Sequence, residues 1–385
     1  MRIAHFSPLP PQPTGIADYC AALLPHLAEH MAVDVFAPLP AGEMEATAVS
    51  TFLQNAHMRL QYDLCLYHMG NHPAYHRQIF ACLQRFPGIV VLHEFDLRAF
   101  FQQQTAAVYK REMGFAHGLA GINRVFSGKT DAPMPLAQRI AQVSLGIIVH
   151  TSFAQRMLQG VTRTPVAAIP LAVALPQVRE TAILPPFLTS LPRDTILLGS
   201  FGYLAASKRV EIVLQALAQL QESAPPFRYL LVGQPTPDFD VNSLIAAYGL
   251  ADVVIHTGYL PPDDFAQLLQ LVDIGVNLRT GPTGGEMSAT LVQLLAHGRP
   301  ALVSNVGSFA DLPAECVVKI DQDAAEVEQV RSRLYDLMTN AALREAYGRS
   351  AQAYVNQNHS FPHTAARYKR FMQACLQQIS RPDDE

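Results

Sequence analysis

The chain has 385 residues, of which 49% are hydrophobic and 16% are charged, and its formal net charge is −4. This composition is typical of a well-packed globular protein and excludes an intrinsically disordered chain. Because the charge provides no basic field, a nucleic-acid partner is not expected. The length exceeds that of one ordinary hydrophobic core and predicts two domains.

The cysteine content and the length of the apolar runs indicate the cellular compartment of the protein. The five cysteines form an odd set without a C-x-x-C pair, which favours buried thiols in a reducing environment over disulfides or zinc. The proline-interrupted N-terminus lacks the apolar core of a signal peptide, and no apolar run approaches the roughly 20 residues of a membrane span. We therefore expect a cytoplasmic protein, and leave open peripheral contact with the inner face of a membrane.

Predicted strands alternate with helical stretches along the whole chain. Short apolar runs predict strands at residues 2–6, 33–37, 63–67, 89–93, 145–150 and 166–169. A second series is predicted at residues 195–201, 229–232, 253–256, 274–277, 301–304 and 317–320. This alternation indicates two parallel sheets covered by helices on both faces, with ligands beyond the carboxyl ends of the strands. Prolines cluster at residues 171–194, where we place the seam between the domains.

Residues 200–217, SFGYLAASKRVEIVLQAL, predict a strand end followed by a helix. Apolar residues recur at helical spacing from Val210 to Leu217, which places Lys208 and Arg209 at the helix start. Cations are unfavourable at the positive end of a helix dipole, so an anionic ligand is expected there. The alternative is a pair of solvated surface charges.

Residues 281–300, GPTGGEMSATLVQLLAHGRP, predict a glycine-rich loop and a helix with Glu286 and Ser288 in its first turn. The unpaired amides of a helix start and its dipole together favour a phosphate. Gly284 and Gly285 allow the backbone to approach a ligand closely. A helix cap without a ligand is the alternative interpretation.

The last predicted helix covers residues 362–379 and has one apolar face. That face consists of Tyr368, Phe371, Met372, Cys375 and Ile379. An apolar helix face must be buried. A helix that follows the last strand of the second domain is therefore expected to cross back to the first.

Other motifs argue against competing functions. His68, His72 and His76 are spaced four apart, as metal ligands on one helix would be, but Gly70 and Pro73 argue against a continuous helix there. No nucleophile elbow or Walker motif is present, and no G-x-G-x-x-G follows the first strand. These absences disfavour an esterase, a P-loop protein and a dinucleotide-dependent dehydrogenase.

As an ensemble, several segments resemble family 4 of the retaining nucleotide-sugar glycosyltransferases, the glycosyl transferases group 1. They are the first loop with Thr14-Gly15-Ile16, VVLHEFD, FGYLAASKR, VGQPTPDFD, HTGYLPPDDF and GPTGGEMSATLVQLLAHGRPALVSNVGSF. The resemblance implies an α/β protein of GT-B fold, with two Rossmann-like doubly wound domains facing across a cleft. It implies an acceptor-side domain at residues 1–185, a donor domain at 186–360 and a final helix at 361–385.

The resemblance also implies site residues. Lys208 matches the lysine that binds the donor diphosphate, and Arg209, where many members have glycine, adds a second charge. Gly15 and Ile16 match the first loop, whose backbone lies against the donor. His93 matches a histidine near the sugar and the acceptor, although a histidine taken alone is more often structural.

The glycine-rich loop departs from the usual pattern of two glutamates seven residues apart. The second position is Gln293, and the first falls on Gly285, with Glu286 displaced by one residue. We expect Glu286 to reach the sugar hydroxyls and to complete the catalytic set of His93, Lys208 and Glu286. Donor phosphates are expected at the amides of Met287, Ser288 and Ala289, and Asn71 is placed on the acceptor side.

The resemblance implies transfer of a hexose, with retention, from a UDP- or GDP-sugar to a hydroxyl of a glycan or glycolipid, as in polysaccharide biosynthesis. In the family mechanism the leaving diphosphate accepts the acceptor proton. The nucleotide sugar is a substrate, so neither a cofactor nor a metal ion is expected. Two alternatives remain: a nucleotide-sugar epimerase, and an inactive GT-B-like binding or scaffold subunit.

Overall fold

The computed structural model describes residues 1–128, 134–176, 188 and 191–379, with the backbone alone described at Ile379. The chain forms two compact α/β units. The first comprises the described residues of Met1–Val173, Gly284–Met287 and Asn358–Glu385, and the second those of Ala174–Thr283 and Ser288–Gln357. The predicted boundary between residues 185 and 186 lies outside the described residues.

The first unit is built on a seven-stranded parallel sheet in the order β3-β2-β1-β4-β5-β6-β7. Its strands are β1 Arg2–Phe6, β2 Ala32–Ala37, β3 Thr47–Ala48, β4 Leu64–Met69, β5 Ile89–Leu92, β6 Gly146–Val149 and β7 Val166–Ala168. Every residue of β4, β5 and β6 is buried, as expected for a parallel sheet covered on both faces. The six predicted strands are confirmed, whereas the two-residue β3 is too short to show a pattern.

Helices pack on both faces of this sheet. They are α1 Gly15–Ala28, α2 Val49–Gln54, α3 Pro73–Arg85, α4 Arg98–Gln102, α5 Ala106–Ser127, α6 Gln138–Val143 and α7 Ser152–Gln159. Alternate strand residues enter two different apolar clusters: Ile3 and Leu66 belong to one, Ala4 and Tyr67 to the other. This alternation follows from the two-residue period of a strand.

The second unit is built on a six-stranded parallel sheet in the order β10-β9-β8-β11-β12-β13. Its strands are β8 Ile196–Phe201, β9 Phe227–Val232, β10 Val254–Gly258, β11 Ile274–Asn277, β12 Ala301–Ser304 and β13 Val318–Ile320. All six were predicted, with ends within about two residues, the usual uncertainty of strand ends read from sequence. Two Rossmann-like parallel sheets confirm the predicted fold class.

The helices of the second unit correct one sequence expectation. They are α8 Val210–Ala218, α9 Val241–Ala247, α10 Pro262–Leu271, α11 Ala289–Ala296, α12 Gly307–Ala310, α13 Glu326–Thr339 and α14 Ala341–Asn358. Lys208 and Arg209 do not lie inside the start of α8. Lys208 ends a 3-10 turn, Ala206–Lys208, and Arg209 caps α8 in the left-handed conformation with φ of 53°.

The final helix, α15 Phe361–Ile379, packs on α1 and β6 of the first unit. Tyr368 and Met372 have no exposed surface, and the Tyr368 hydroxyl lies 3.1 Å from that of Tyr19 in α1. Of the predicted apolar face, the Ile379 side chain lies outside the described residues. None of the helices in the described ranges is both long and apolar enough to cross a membrane.

Candidate functional site

A sharp turn after β8 positions Lys208 in the second unit. The chain reverses at Gly202, whose φ of +85° is unfavourable for other residues, and the Lys208 Nζ donates a hydrogen bond to the Phe201 carbonyl at 3.0 Å. A Cβ on Gly202 would lie only 3.0 Å from that Nζ. Glycine is therefore needed both for the turn and for the close approach of the amine.

The Lys208 side chain is partly buried, and no described carboxylate pairs with its amine. Burial, and secondarily the Arg279 guanidinium, lower the pKa of Lys208 to about 7. Within the described part of the chain, no carboxylate forms an ion pair with this amine. Burial of an unpaired charge is costly, and a bound anion would offset that cost. The turn is electrostatically suited to a phosphate or diphosphate.

Hydrogen bonds connect the lysine turn to the start of the glycine-rich loop. The Thr280 amide donates to the Ser207 carbonyl at 2.8 Å. Gln322 accepts from the Gly281 amide at 2.9 Å and donates to the Arg279 carbonyl. Since β8 and β11 are neighbours in the sheet, both segments lie at its carboxyl edge. The two predicted phosphate-binding elements therefore lie together.

The helix after this loop begins later than predicted. Ser288 is the N-cap of α11: its hydroxyl accepts from the Leu291 amide at 3.3 Å and lies 3.2 Å from Asn277 Oδ1. A serine cap satisfies an amide that the helix leaves unpaired, so the helix starts at Ala289. The prediction that Glu286 and Ser288 lie in the first helical turn is wrong. Of the three predicted phosphate amides, only that of Ala289 belongs to the helix.

The segment Gly284–Met287 belongs to the first unit. The Gly284 carbonyl accepts from the Phe95 amide at 2.9 Å, and the Gly285 carbonyl accepts from the Thr151 hydroxyl at 3.1 Å. Gly285 has φ of +77°, and a Cβ there would collide with the Phe95 ring. Glycine at this position lets the loop fix Glu286 beside residues of the first unit.

Sequence reasoning missed a second glutamate at this place. A Cβ on Gly284 would lie 3.5 Å from Glu286 Oε2 and 3.9 Å from the Cβ atoms of both Glu94 and Asp96. Burial raises the pKa of Glu94 to about 7; a hydrogen bond from Asn71 opposes the rise, and the charges of Glu286 and Asp96 add to it. The available signal was its place after β5, at the carboxyl edge of the sheet.

Asn71, predicted on the acceptor side, braces the segment that carries Glu94. Its amide nitrogen donates to Glu94 and to the Asp96 carbonyl, the latter at 2.9 Å. Its amide oxygen accepts from the Phe100 backbone at 3.1 Å. These bonds give Asn71 a structural role, and its contact with an acceptor stays a prediction.

His93 lies between two other histidines. Its Nε2 is 3.1 Å from His68 Nδ1, and its Nδ1 is 3.2 Å from His150 Nε2. Burial, and secondarily the neighbouring histidines, lower the pKa of His93 well below its usual range, so the imidazole is neutral. Both ring nitrogens are engaged within the protein, and the catalytic role of His93 stays a prediction.

The comparisons with known proteins identify the second unit. Residues 188–354 match the model of the family Glycosyl transferases group 1. This region is a glycosyl transferases group 1 domain. The matched region contains Lys208, Arg209 and the residues on either side of the loop segment Gly284–Met287.

The proteins to which this chain is similar are distant in sequence. The 2-deoxystreptamine glucosyltransferase of Streptomyces kanamyceticus is 22% identical over 179 residues, 46% of each chain, so the match spans about half the length of that relative. Sucrose-phosphate synthase from Thermosynechococcus elongatus has a TM-score of 0.69 at 17% identity, over 98% of this chain and 100% of that one. Anabaena HepE in complex with UDP-glucose has a TM-score of 0.62 at 17% identity, over 97% and 100%. These likenesses confirm the predicted GT-B fold.

In the group 1 domain, Arg209 already has an anionic partner. Its guanidinium forms two hydrogen bonds to the carboxylate of Glu326, whose side chain is only 5% exposed. Arg209 is the one described non-glycine residue with positive φ. The ion pair stabilises this unusual backbone conformation, and the donor-binding role of Arg209 stays a prediction.

The loop before α1, in the first unit, leaves its backbone accessible at Gly15. Thr14 caps α1, and its hydroxyl accepts from the Ile16 amide at 3.4 Å. A Cβ placed on Gly15 would meet no atom within 4 Å. A ligand can therefore approach the helix start at Gly15, and its contact with the donor stays a prediction.

Proposed function

We propose that this protein is a retaining glycosyltransferase that moves a hexose from a nucleoside diphosphate sugar to a hydroxyl of a glycan or glycolipid acceptor. The observation that carries the proposal is the partly buried Lys208 amine in the group 1 domain, which has no described counter-ion. A donor diphosphate supplies the missing negative charge. The complex of HepE with UDP-glucose makes a UDP-sugar the first donor to test.

Electrostatic stabilisation of the leaving diphosphate is the proposed basis of catalysis. Charge on the diphosphate grows as its bond to the sugar breaks, and the Lys208 ammonium and the amide of Ala289 at the start of α11 stabilise it. Such preorganised donors contribute a few kcal/mol each to a transition state. The leaving diphosphate takes the acceptor proton, so no protein nucleophile is required.

Glu94 and Glu286 are proposed to bind the sugar and acceptor hydroxyls. Two carboxyl groups in close proximity raise each other's pKa, and one of them can then remain protonated near neutral pH. A protonated Glu94 donates a hydrogen bond, whereas an ionised Glu286 accepts one. The pair can therefore orient a hydroxyl through both its oxygen and its hydrogen.

The direct test incubates the purified chain with UDP-, GDP- and ADP-sugars, with and without hydroxyl acceptors. Thermal shifts first identify the nucleotide, because a ligand of the native state raises the apparent stability. The anomeric configuration of the product, measured by NMR, then distinguishes retention from inversion. Inverted product refutes retention, and an epimer formed without acceptor identifies the epimerase instead.

A binding subunit without turnover is the second candidate. It is favoured by Gln293 in place of a glutamate and by the engagement of both His93 nitrogens with other histidines. It predicts a nucleotide-dependent thermal shift with no product from any acceptor tested. Turnover with any donor and acceptor pair excludes it.

A further inference from the structure

A second cluster of reactive side chains lies inside the first unit, on a face of its sheet. His5 of β1, Cys20 of α1 and His68 of β4 have no exposed surface. One ligand atom from each, an imidazole nitrogen or the thiol sulfur, lies within 4.8 Å of the other two. This trio is not the set of His68, His72 and His76, which are spaced four residues apart in the sequence. In that set His68 lies on β4, His72 directly before α3 and His76 inside α3.

The hydrogen-bond chain through the histidines determines which nitrogen of His68 carries its hydrogen. A backbone carbonyl can only accept, so His150 Nδ1 donates to the Ile169 carbonyl at 3.1 Å. In neutral imidazoles His150 Nε2 then accepts from His93 Nδ1, and His93 Nε2 accepts from His68 Nδ1. His68 Nε2 is consequently left with a lone pair and no hydrogen.

Two of the nitrogens in this cluster have no partner. Within the described residues, His68 Nε2 and His5 Nε2 are buried without any hydrogen bond. Buried polar atoms nearly always have one, so two such nitrogens beside a buried thiol indicate a missing ligand. The lone pair of His68 Nε2 requires that this ligand be an electron-pair acceptor, either a hydrogen-bond donor or a metal ion.

We propose that His5, Cys20 and His68 bind one transition-metal ion of the zinc(II) class. Imidazole nitrogen and thiolate sulfur are the donors that zinc takes in proteins, and three protein ligands leave a fourth position for a small ligand such as water. Metal-bound histidines usually donate their other ring N–H to a fixed acceptor, as His68 does to His93. Binding converts the Cys20 thiol to a thiolate and releases its one proton to solvent.

The geometry requires a modest closure of the cluster. Zinc bonds of about 2.0–2.3 Å place tetrahedral ligand atoms roughly 3.3–3.8 Å apart. The ligand atoms must therefore approach one another by up to about 1.5 Å, a movement within reach of side-chain rotations. The ion would join α1 to β1 and β4, which makes its role structural.

The test uses the full chain, expressed without a histidine tag. Elemental analysis after purification is expected to find about one zinc per chain. After chelator dialysis, cobalt(II) is expected to produce the intense near-ultraviolet absorption of a cobalt–thiolate bond, and zinc(II) to raise the melting temperature. A wild-type chain that binds neither ion refutes the proposal, and a direct His5–His68 hydrogen bond then accounts for the two nitrogens.

Variants identify the ligands. Cys20→Ser is expected to abolish the cobalt–thiolate absorption. The matched control is Cys65→Ser, which removes a buried thiol of β4 that belongs to the other apolar cluster. If Cys20→Ser retains the cobalt–thiolate absorption, or if Cys65→Ser loses it to the same extent, Cys20 is not the thiolate ligand. Should Cys20→Ser fail to fold, His68→Gln serves instead and is expected to weaken binding while the thiolate absorption remains at high cobalt(II).

Discussion

Single side chains at the strand ends bear charges whose environment is unusual. Lys208 is a partly buried amine beside a carbonyl and a second cation, and Glu94 is a partly buried carboxyl beside two others. Neither environment can be inferred from the sequence, because Arg279 beside Lys208 and Glu286 beside Glu94 are distant along the chain. The sequence indicates Lys208 through its motif, whereas in the segment VVLHEFD it indicates His93 and not Glu94.

Replacement of Lys208 by alanine is expected to lower turnover by about two to three orders of magnitude, as for loss of one preorganised donor to a developing anion. The fold should be retained, since among the described residues the amine forms a hydrogen bond only to the Phe201 carbonyl. Steady-state kinetics and circular dichroism measure the two effects. Lys369→Ala, on the last helix, is the control, and transfer near the wild-type rate by Lys208→Ala contradicts the proposed role.

Glu94 is expected to make stability depend on pH. Its folded-state pKa of about 7 lies above the ordinary glutamate pKa of 4.5, so the native state binds the proton more tightly than the unfolded state. The contribution of Glu94 to the free energy of unfolding is therefore most favourable below pH 4.5 and is lost as the pH rises to about 7. Urea unfolding across this range should show a decline that Glu94→Gln reduces. Glu328→Gln, at an exposed ion pair, is the control and should leave the decline in stability unchanged. If stability falls with pH equally steeply in Glu94→Gln and in the wild type, Glu94 is not the group responsible.

At the scale of elements, strands were easier to predict than helix starts. A buried strand such as β11 is a local apolar run, so its ends coincide with those predicted. Helix starts depend on contacts that the sequence does not show: Ser288 bonds to Asn277, and Glu326 stabilises the positive φ of Arg209. The elements and their order follow from periodicity, whereas the caps follow from tertiary structure.

The turn after β8 gives a prediction at the scale of elements. Glycine is required at position 202 by its positive φ and by the nearby Lys208 amine, which leaves no room for a Cβ. Gly202→Ala is expected to destabilise the protein by about 1–2 kcal/mol and to weaken nucleotide binding at least tenfold, because the new methyl group displaces the Lys208 amine. Gly249→Ala is the matched control: its φ of +66° is equally unfavourable, but its Cβ would meet no atom within 4 Å.

Urea unfolding and calorimetric titration with UDP separate the two effects. Both variants should lose stability, and only Gly202→Ala should lose affinity. Equal affinity of the two variants would show that the position of the amine does not depend on Gly202.

At the scale of the whole molecule, sequence order and spatial grouping differ. Gly284–Met287 and the last helix belong with the N-terminal residues, although most of the intervening chain forms the other unit. The sequence indicated that the last helix needs a partner surface through its apolar face. It gave no sign that four residues of the glycine-rich loop join the first unit, because that grouping depends on bonds to Phe95 and Thr151.

The last helix should contribute strongly to the stability of the first unit. Met372→Ala is expected to cost about 2–5 kcal/mol, as for other long side chains removed from a core, since Met372 has no exposed surface. His363→Ala, at an exposed position of the same helix, should cost less than about 0.5 kcal/mol. Chemical denaturation measures both, and similar values for the two would show that α15 does not close the core.

The packing of α15 also has a consequence for biosynthesis. A ribosome makes the chain from its N-terminus, yet the core around Ile3 and Leu23 includes Tyr368, Met372 and Cys375. The domain that is translated first therefore cannot complete its hydrophobic interior until residues 368–375 have been made. On the ribosome its nascent strands remain partly uncovered, available to chaperones, while almost all of the second domain emerges.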